Sequence, residues 1–358
     1  MHIYIIMLII SLVFAFVSEK KQKKCIKITF EILSIIPFII VSAIRFDVGT
    51  DYLYRYASDF ETIRLGGNVH NIEILFKIII KICIFLFNDY ESLFIVTTLI
   101  IIPIIMHIIF KYSKKPTLSI FIFFSGCYFF HSLNAIRQYI AISLILLAYK
   151  NVLYNSYKRF ILIAIIAFFI HYTSIVCIIA LFLRKRIIVN PVVLITLVSI
   201  TLIFSNQISN FFDFCISKTY YNVYVNSSYN VGDLNNSAFI LNFIVYIIFY
   251  AVYKKYKLID DKKIAFFINM QGIAILLIAM GAVMSLANRI SFYFSILQII
   301  SIPYVMYYVE INKNNVLEKK LLMCIIIILY STNLIYNNVI NNVDEVLPYK
   351  TIFNKYNS

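Results

Sequence analysis

Residues 27–56 read KITFEILSIIPFIIVSAIRFDVGTDYLYRY. The segment changes character after Ile44. Before that point lies an apolar run long enough to cross a bilayer. After it, Arg45–Tyr56 packs two Arg, two Asp and three Tyr into twelve residues. The apolar run fixes the class of the chain, and the charged stretch marks where that run leaves the membrane. The whole chain of 358 residues is 62% hydrophobic and 14% charged, with a mean hydropathy of +0.87. A soluble protein of this length could not hide so much apolar surface. The expected fold is an all-α polytopic membrane protein. No polar segment is long enough for a soluble domain, so residues 1–358 read as a single integral membrane domain.

The net charge of +15 does not point to nucleic acid. Of 32 Lys and Arg, 22 fall in six short segments: 20–27, 111–115, 150–159, 184–186, 254–263 and 313–320. That clustering is positive-inside bias, and it sets orientation. Residues 1–17 have no basic residue before them and a Lys-rich run after, so they read as a first span with its N-terminus outside, not a cleaved signal peptide. Residues 27–44 return outward, and Glu31 sits one turn after Lys27 as an ion-pair partner. Arg45–Tyr56 therefore opens an outer loop running to about residue 71. Residues 72–87 carry Glu73, Lys77 and Lys81 every fourth position. This stripe predicts an amphipathic helix on the outer face.

Further spans follow at 91–110, 117–130 and 134–149, then 187–205, 238–253, 264–286, 290–309 and 321–336. A second outer loop covers 206–237, and the C-terminus lies outside. Residues 160–183 have basic flanks that both belong inside. Each arm of a hairpin there would have about 11 residues, or roughly 17 Å, against a core of about 30 Å. A re-entrant hairpin with His171 near its tip, or a single span with one violated flank, accounts for them. The total is about 10–12 transmembrane helices.

The arginines carry the first functional signal. Three of eight, Arg159, Arg184 and Arg186, lie in inside segments. Arg45, Arg55, Arg64, Arg137 and Arg289 fall on the outer side. Arg offers a rigid fork suited to phosphate or carboxylate. Arg137 and Arg289 each stand at a helix end entering the membrane, where a charge is costly and is a functional candidate by default. Lipid phosphate is the alternative partner for each. Asn134 and Gln138 flank Arg137 and make a polar patch at the helix start; Tyr293 follows Arg289 by one turn. His171 lies deep in an apolar element, as a functional group or a hydrogen-bonded core residue. Asp47 and Asp51 sit beside Arg45, which can keep an Asp ionised. An ionised Asp can take a proton from an attacking hydroxyl; the same charges also suit a salt bridge closing the loop. Tyr52, Tyr54 and Tyr56 suit stacking on sugar rings or an interfacial aromatic belt. The cysteines Cys25, Cys83, Cys127, Cys177, Cys215 and Cys324 lack metal-ligand spacing. No metal site is expected, and no nucleotide loop or serine-hydrolase elbow is present.

RFDVGTDYLYRY (45–56), NAIRQYIAISLILLAYK (134–150), IAFFIHYTSIV (166–176), NRISFYF (288–294) and LPYK (347–350) follow the order seen in EpsG-family proteins. The chain resembles that family, and through it Wzy-type polysaccharide polymerases, over nearly its full length. The resemblance implies polymerisation of undecaprenyl-pyrophosphate-linked repeat units into exopolysaccharide, capsule or O-antigen at the outer leaflet of the cytoplasmic (inner) membrane. It implies no cofactor and no nucleic acid. The implied partners are the lipid-linked glycan, membrane lipid, and a chain-length regulator and flippase of the same pathway. On that reading Asp47, Asp51 or His171 supplies the base. Arg45, Tyr52, Tyr56, Asn134, Arg137, Gln138, Arg289 and Tyr293 bind substrate. A ligase-type glycosyltransferase and a flippase of lipid-linked sugars are the rival readings.

Overall fold

A computed structural model of the protein describes residues 1–69, 72–218, 232–311 and 316–354. The expected first and second outer loops extend partly outside these residues, at 70–71 and 219–231. Among the described residues, seven helices are long and apolar enough to cross a membrane: His2–Lys20, Lys24–Ala43, Glu91–Tyr112, Ile136–Leu153, Asn236–Lys255, Lys262–Met280 and Val316–Ile340. Three bent helix pairs raise the total to ten if each is one crossing. Pro116–Ser125 and Tyr128–Asn134 meet at 53°, and Pro191–Ile203 and Ser205–Phe212 at 77°. The third pair is Ser285–Ser295 with Gln298–Ile311. The protein is a multi-pass all-α membrane protein. Hydropathy dictates this outcome, because a spanning segment must satisfy its own backbone hydrogen bonds.

The described residues form two compact units. The first comprises 1–150, 158–175 and 298–358. His2–Lys20 and Lys24–Ala43 make an antiparallel pair. Small polar residues join them: Ser11 Oγ lies 2.8 Å from Ser34 O, and Ser34 Oγ lies 3.0 Å from Ser11 O. Such contacts replace the hydrophobic drive that is missing between helices in lipid. Ile3, Ile6, Ile9 and Val13 stay exposed on the other face, as lipid contact requires. The bend at Gly126–Cys127 has a steric cause. A Cβ on Gly126 would lie 2.7 Å from Ile122 O, and Cys127 takes a left-handed φ of 63°. Beyond the bend, Tyr128 and Tyr330 both donate to Gln298 Oε1, at 2.7 and 2.5 Å. At the opposite end of these helices Glu310 pairs with Lys115 at 2.6 Å and also with Lys319. Lys27 Nζ lies 3.8 Å from Glu31.

The second unit comprises 151–157 and 176–297. Its organising residue is Asn269, which is fully buried. Its Oδ1 accepts from Ile188 N and Val189 N, and its Nδ2 donates to Leu183 O and Arg186 O, all within 2.9 Å. One side chain thus satisfies the backbone of a whole connection.

Candidate functional site

The 45–57 stretch is held by the far end of the chain. Arg45 forms an isolated antiparallel bridge with Thr351. Phe46 N donates to Lys350 O at 3.0 Å, Gly49 N to Glu345 O at 3.1 Å, and Ile352 N to Ile44 O at 2.9 Å. Residues 342–352 therefore act as a strap over the loop. Arg45 itself is 1% exposed. Its guanidinium donates to Ser42 O and, at 3.4 Å, to Leu133 O, and it lies 5.1 Å from the Phe94 ring. Burial pulls its pKa down, against the raising influence of Tyr52 and Tyr4. Arg45 does not hold the two aspartates. Asp47 pairs with Lys350 at 3.1 Å, and Asp51 starts a turn of π-helix over Tyr52–Ala57.

That turn sorts the tyrosines. Tyr52 and Tyr56 are buried; Tyr54 is 92% exposed. Tyr52 stacks on Phe94 with centroids 3.8 Å apart and planes 7° from parallel. Tyr56 lies edge-on to Phe76 and Phe94. The two tyrosines expected to bind substrate are core residues, and the exposed ring is the one between them. The reason is periodicity: positions 52 and 56 share a helical face and 54 does not.

Glu73 is the residue the sequence misplaces. It was expected on the solvent stripe with Lys77 and Lys81. Instead it stands at the N-cap position of the Ile74–Phe87 helix, its side chain turned away from the helix's own amides, and is 4% exposed. Its Oε2 accepts from Arg137 Nη1 at 2.7 Å, and its Oε1 lies 2.8 Å from His171 Nδ1. Burial works against the charge of Glu73, but the His171 hydrogen bond and the Arg137 charge outweigh it and hold the carboxyl below its ordinary value. An ionised carboxylate places the proton of a neutral His171 on Nδ1, so Nε2 is the basic nitrogen. His171 stands at the junction between the Tyr157–Ile170 helix and a 3₁₀ segment, Tyr172–Leu181. Tyr56 hydrogen-bonds Arg137 from the loop side. Asp59 is half-buried near Arg55 and Arg137, and burial pushes its pKa up.

A second histidine–carboxylate pair starts from the preceding helix, Tyr128–Asn134. His131 Nδ1 is 2.8 Å from Asp344 Oδ1. Asn134 Nδ2 donates to Asp344 O at 2.7 Å and to Oδ1 at 3.0 Å. Thr50 Oγ1 donates to Asn134 Oδ1 at 3.3 Å. Asp344 is 5% exposed, and its Oδ2 is buried without a hydrogen-bond partner. Asn134 thus ties the loop to the strap. Gly49 makes this approach possible: it has φ +104°, and a Cβ there would sit 2.3 Å from Asn134 Oδ1. Gly49→Ala is expected to cost roughly 1–3 kcal/mol, read as a lower thermal midpoint in detergent. An unchanged midpoint would show that the loop accommodates a side chain.

Gln138 is buried beside Arg137. Arg289 and Tyr293 belong to the second unit, on the Ser285–Ser295 helix. There Arg289 is exposed and Tyr293 is fully buried. Among the described residues, no three His, Cys, Asp or Glu gather as a metal site. Sequence reading missed Glu73 and Asp344, and rated His131 above the other histidines but below His171 without seeing its partner. Each is joined to its partners across 64 to 213 positions, beyond any local period. For Asp344 the one local hint was a carboxylate close to the LPYK motif.

The EpsG family model matches residues 27–351, which takes in the loop, both histidine–carboxylate pairs and the strap up to Thr351. No curated protein and no solved structure matches the chain. The chain belongs to the EpsG family, a family of Wzy-type polymerases, and so carries a polysaccharide polymerase-like role in the membrane.

Proposed function

We propose that the protein joins lipid-pyrophosphate-linked oligosaccharide repeat units at the outer leaflet of the cytoplasmic membrane, with both termini on the outer side. The observation that carries this reading is Glu73, buried between Arg137 and His171 at the helix ends beside the charged loop. A carboxylate that orients an imidazole and stabilises its cationic form is the arrangement of an activated general base. In this reading His171 Nε2 takes the proton of a sugar hydroxyl on one lipid-linked unit. The hydroxyl oxygen then bonds to the anomeric carbon of the glycan on another. The bond from that carbon to the pyrophosphate oxygen breaks, and its electron pair leaves with the lipid pyrophosphate. Arg137 fixes Glu73 and supplies positive charge where negative charge develops. Arg289 is a separate candidate for lipid phosphate. The reaction so written uses no metal or cofactor. The lipid carrier is undecaprenyl pyrophosphate, the product is exopolysaccharide, capsule or O-antigen, and a flippase and chain-length regulator act in the same pathway.

His171→Ala, at matched protein level, tests this. The expected outcome is lipid-linked single repeat units in place of polymer, with polymer reduced by about 10²–10⁴-fold. Full-length glycan stranded on the lipid carrier would indicate a ligase. Repeat units trapped on the inner face would indicate a flippase. Either would overturn the polymerase reading.

A further inference from the structure

The loop and the strap enclose an open cleft of about 320 Å³, within the ~300–1,000 Å³ range of small-molecule sites. It is lined by Asp47, Thr50, Tyr54, Asn342, Glu345 and Lys350, among others. The base assignment uses none of these groups. We propose that this cleft is a saccharide-binding subsite for a neutral stretch of glycan; the ligand class rests on the polymerase reading.

Three independent features converge. First, Tyr54 leaves a 92% exposed ring at the cleft, although its neighbours Tyr52 and Tyr56 are packed away. Its side chain makes no hydrogen bond among the described residues. A flat apolar face left in water suits the C–H face of a pyranose, while Asp47 and Glu345 offer carboxylate oxygens to its hydroxyls. Second, the backbone is strained here. Asp47, Asn342 and Glu345 take φ of 50°, 43° and 49°. They are three of the seven non-glycine residues with positive φ among the described residues, and all three line this cleft. Asp and Asn tolerate left-handed backbone at a small cost; for Glu345 it is unfavourable and persists only where its surroundings over-determine it. Here Gly49 N on Glu345 O and the Asn342 amide on Leu347 N and O do so. The strain places three polar side chains around one space. Third, the charge selects the ligand. Lys350 neutralises Asp47, and Glu345 remains. A cleft with a surplus carboxylate repels pyrophosphate and admits a hydroxyl-rich neutral chain.

The test uses the full chain in detergent. The probes are short oligosaccharides cut from the polymer the host cell makes, with inorganic pyrophosphate as competitor. Binding is read by saturation-transfer NMR and calorimetry. Tyr54→Ala and Glu345→Gly are each expected to weaken binding tenfold or more. Glycine adopts the φ of residue 345 without strain, so loss there reports the carboxylate and not the loop. In cells the same variants are expected to make shorter polymer while still joining repeat units. Wild-type affinity and polymer length in both variants would overturn the cleft and leave the polymerase reading intact. So would competition by pyrophosphate, or no oligosaccharide binding by a wild-type chain that still makes polymer. Accumulation of single units with His171→Ala reads the polymerase assignment separately.

Discussion

Glu73→Gln is expected to reduce polymer formation by about 10²–10⁴-fold. The substitution keeps the side chain's size and removes its charge. An amide oxygen or nitrogen can then face His171 Nδ1, so the ring is no longer held in one tautomer, and its cationic form loses its counter-charge. Arg137 is 8% exposed and shares the same carboxylate, so it too loses a partner. Removing one member of a buried ion pair costs about 3–5 kcal/mol, and that could reduce activity by unfolding alone. The double variant Glu73→Gln, Arg137→Met separates the two effects. Replacing both charges with groups of similar volume is close to neutral for stability. The double variant is expected to regain a near-wild-type thermal midpoint while polymer stays absent. Restored polymer with restored stability would reduce Glu73 to a structural role.

Tyr52→Ala is expected to destabilise the fold by about 3–5 kcal/mol. The ring is 1% exposed and lies 3.8 Å from Phe94. Its hydroxyl donates to Arg45 O at 3.2 Å. Truncation opens a cavity beneath a fully buried guanidinium and unseats the loop from the Glu91–Tyr112 helix. Tyr52→Phe keeps the stack and loses one hydrogen bond, a cost of about 1 kcal/mol. The measurement is thermal unfolding in detergent beside protein level in the membrane. If Tyr52 stacked on sugar, Tyr52→Ala would spare the midpoint and lower polymer alone.

The spans were legible because lipid leaves so few options: a run of apolar residues must be a helix. The bend at Gly126–Cys127 was not, since it depends on local packing; the helix end at His171 falls where the basic flanks of 160–183 suggested a hairpin tip. Arg137 and His171 could be picked out singly by the cost of polar groups in a membrane. Their meeting point could not. Glu73 fitted a charged helical stripe so well that its period concealed its role. A residue at a helix cap faces whatever lies beyond the helix, and the period does not extend there. Tyr52 and Tyr56 against Tyr54 could have been separated by helical spacing alone. The strap was beyond reach, because its hydrogen bonds run from residues 44–49 to residues 345–352.

That strap has a consequence in time. Residues 45–49 are synthesised some 300 positions before their partners, since Asp47 and Lys350 are 303 apart. At about 5–20 residues per second, the loop waits roughly 15–60 s for residues 344–352. Until then Asn134 lacks Asp344, His131 lacks its carboxylate, and the backbone of the loop is solvated by water. The packing of the loop is therefore completed only after the last described span, Val316–Ile340, has been made.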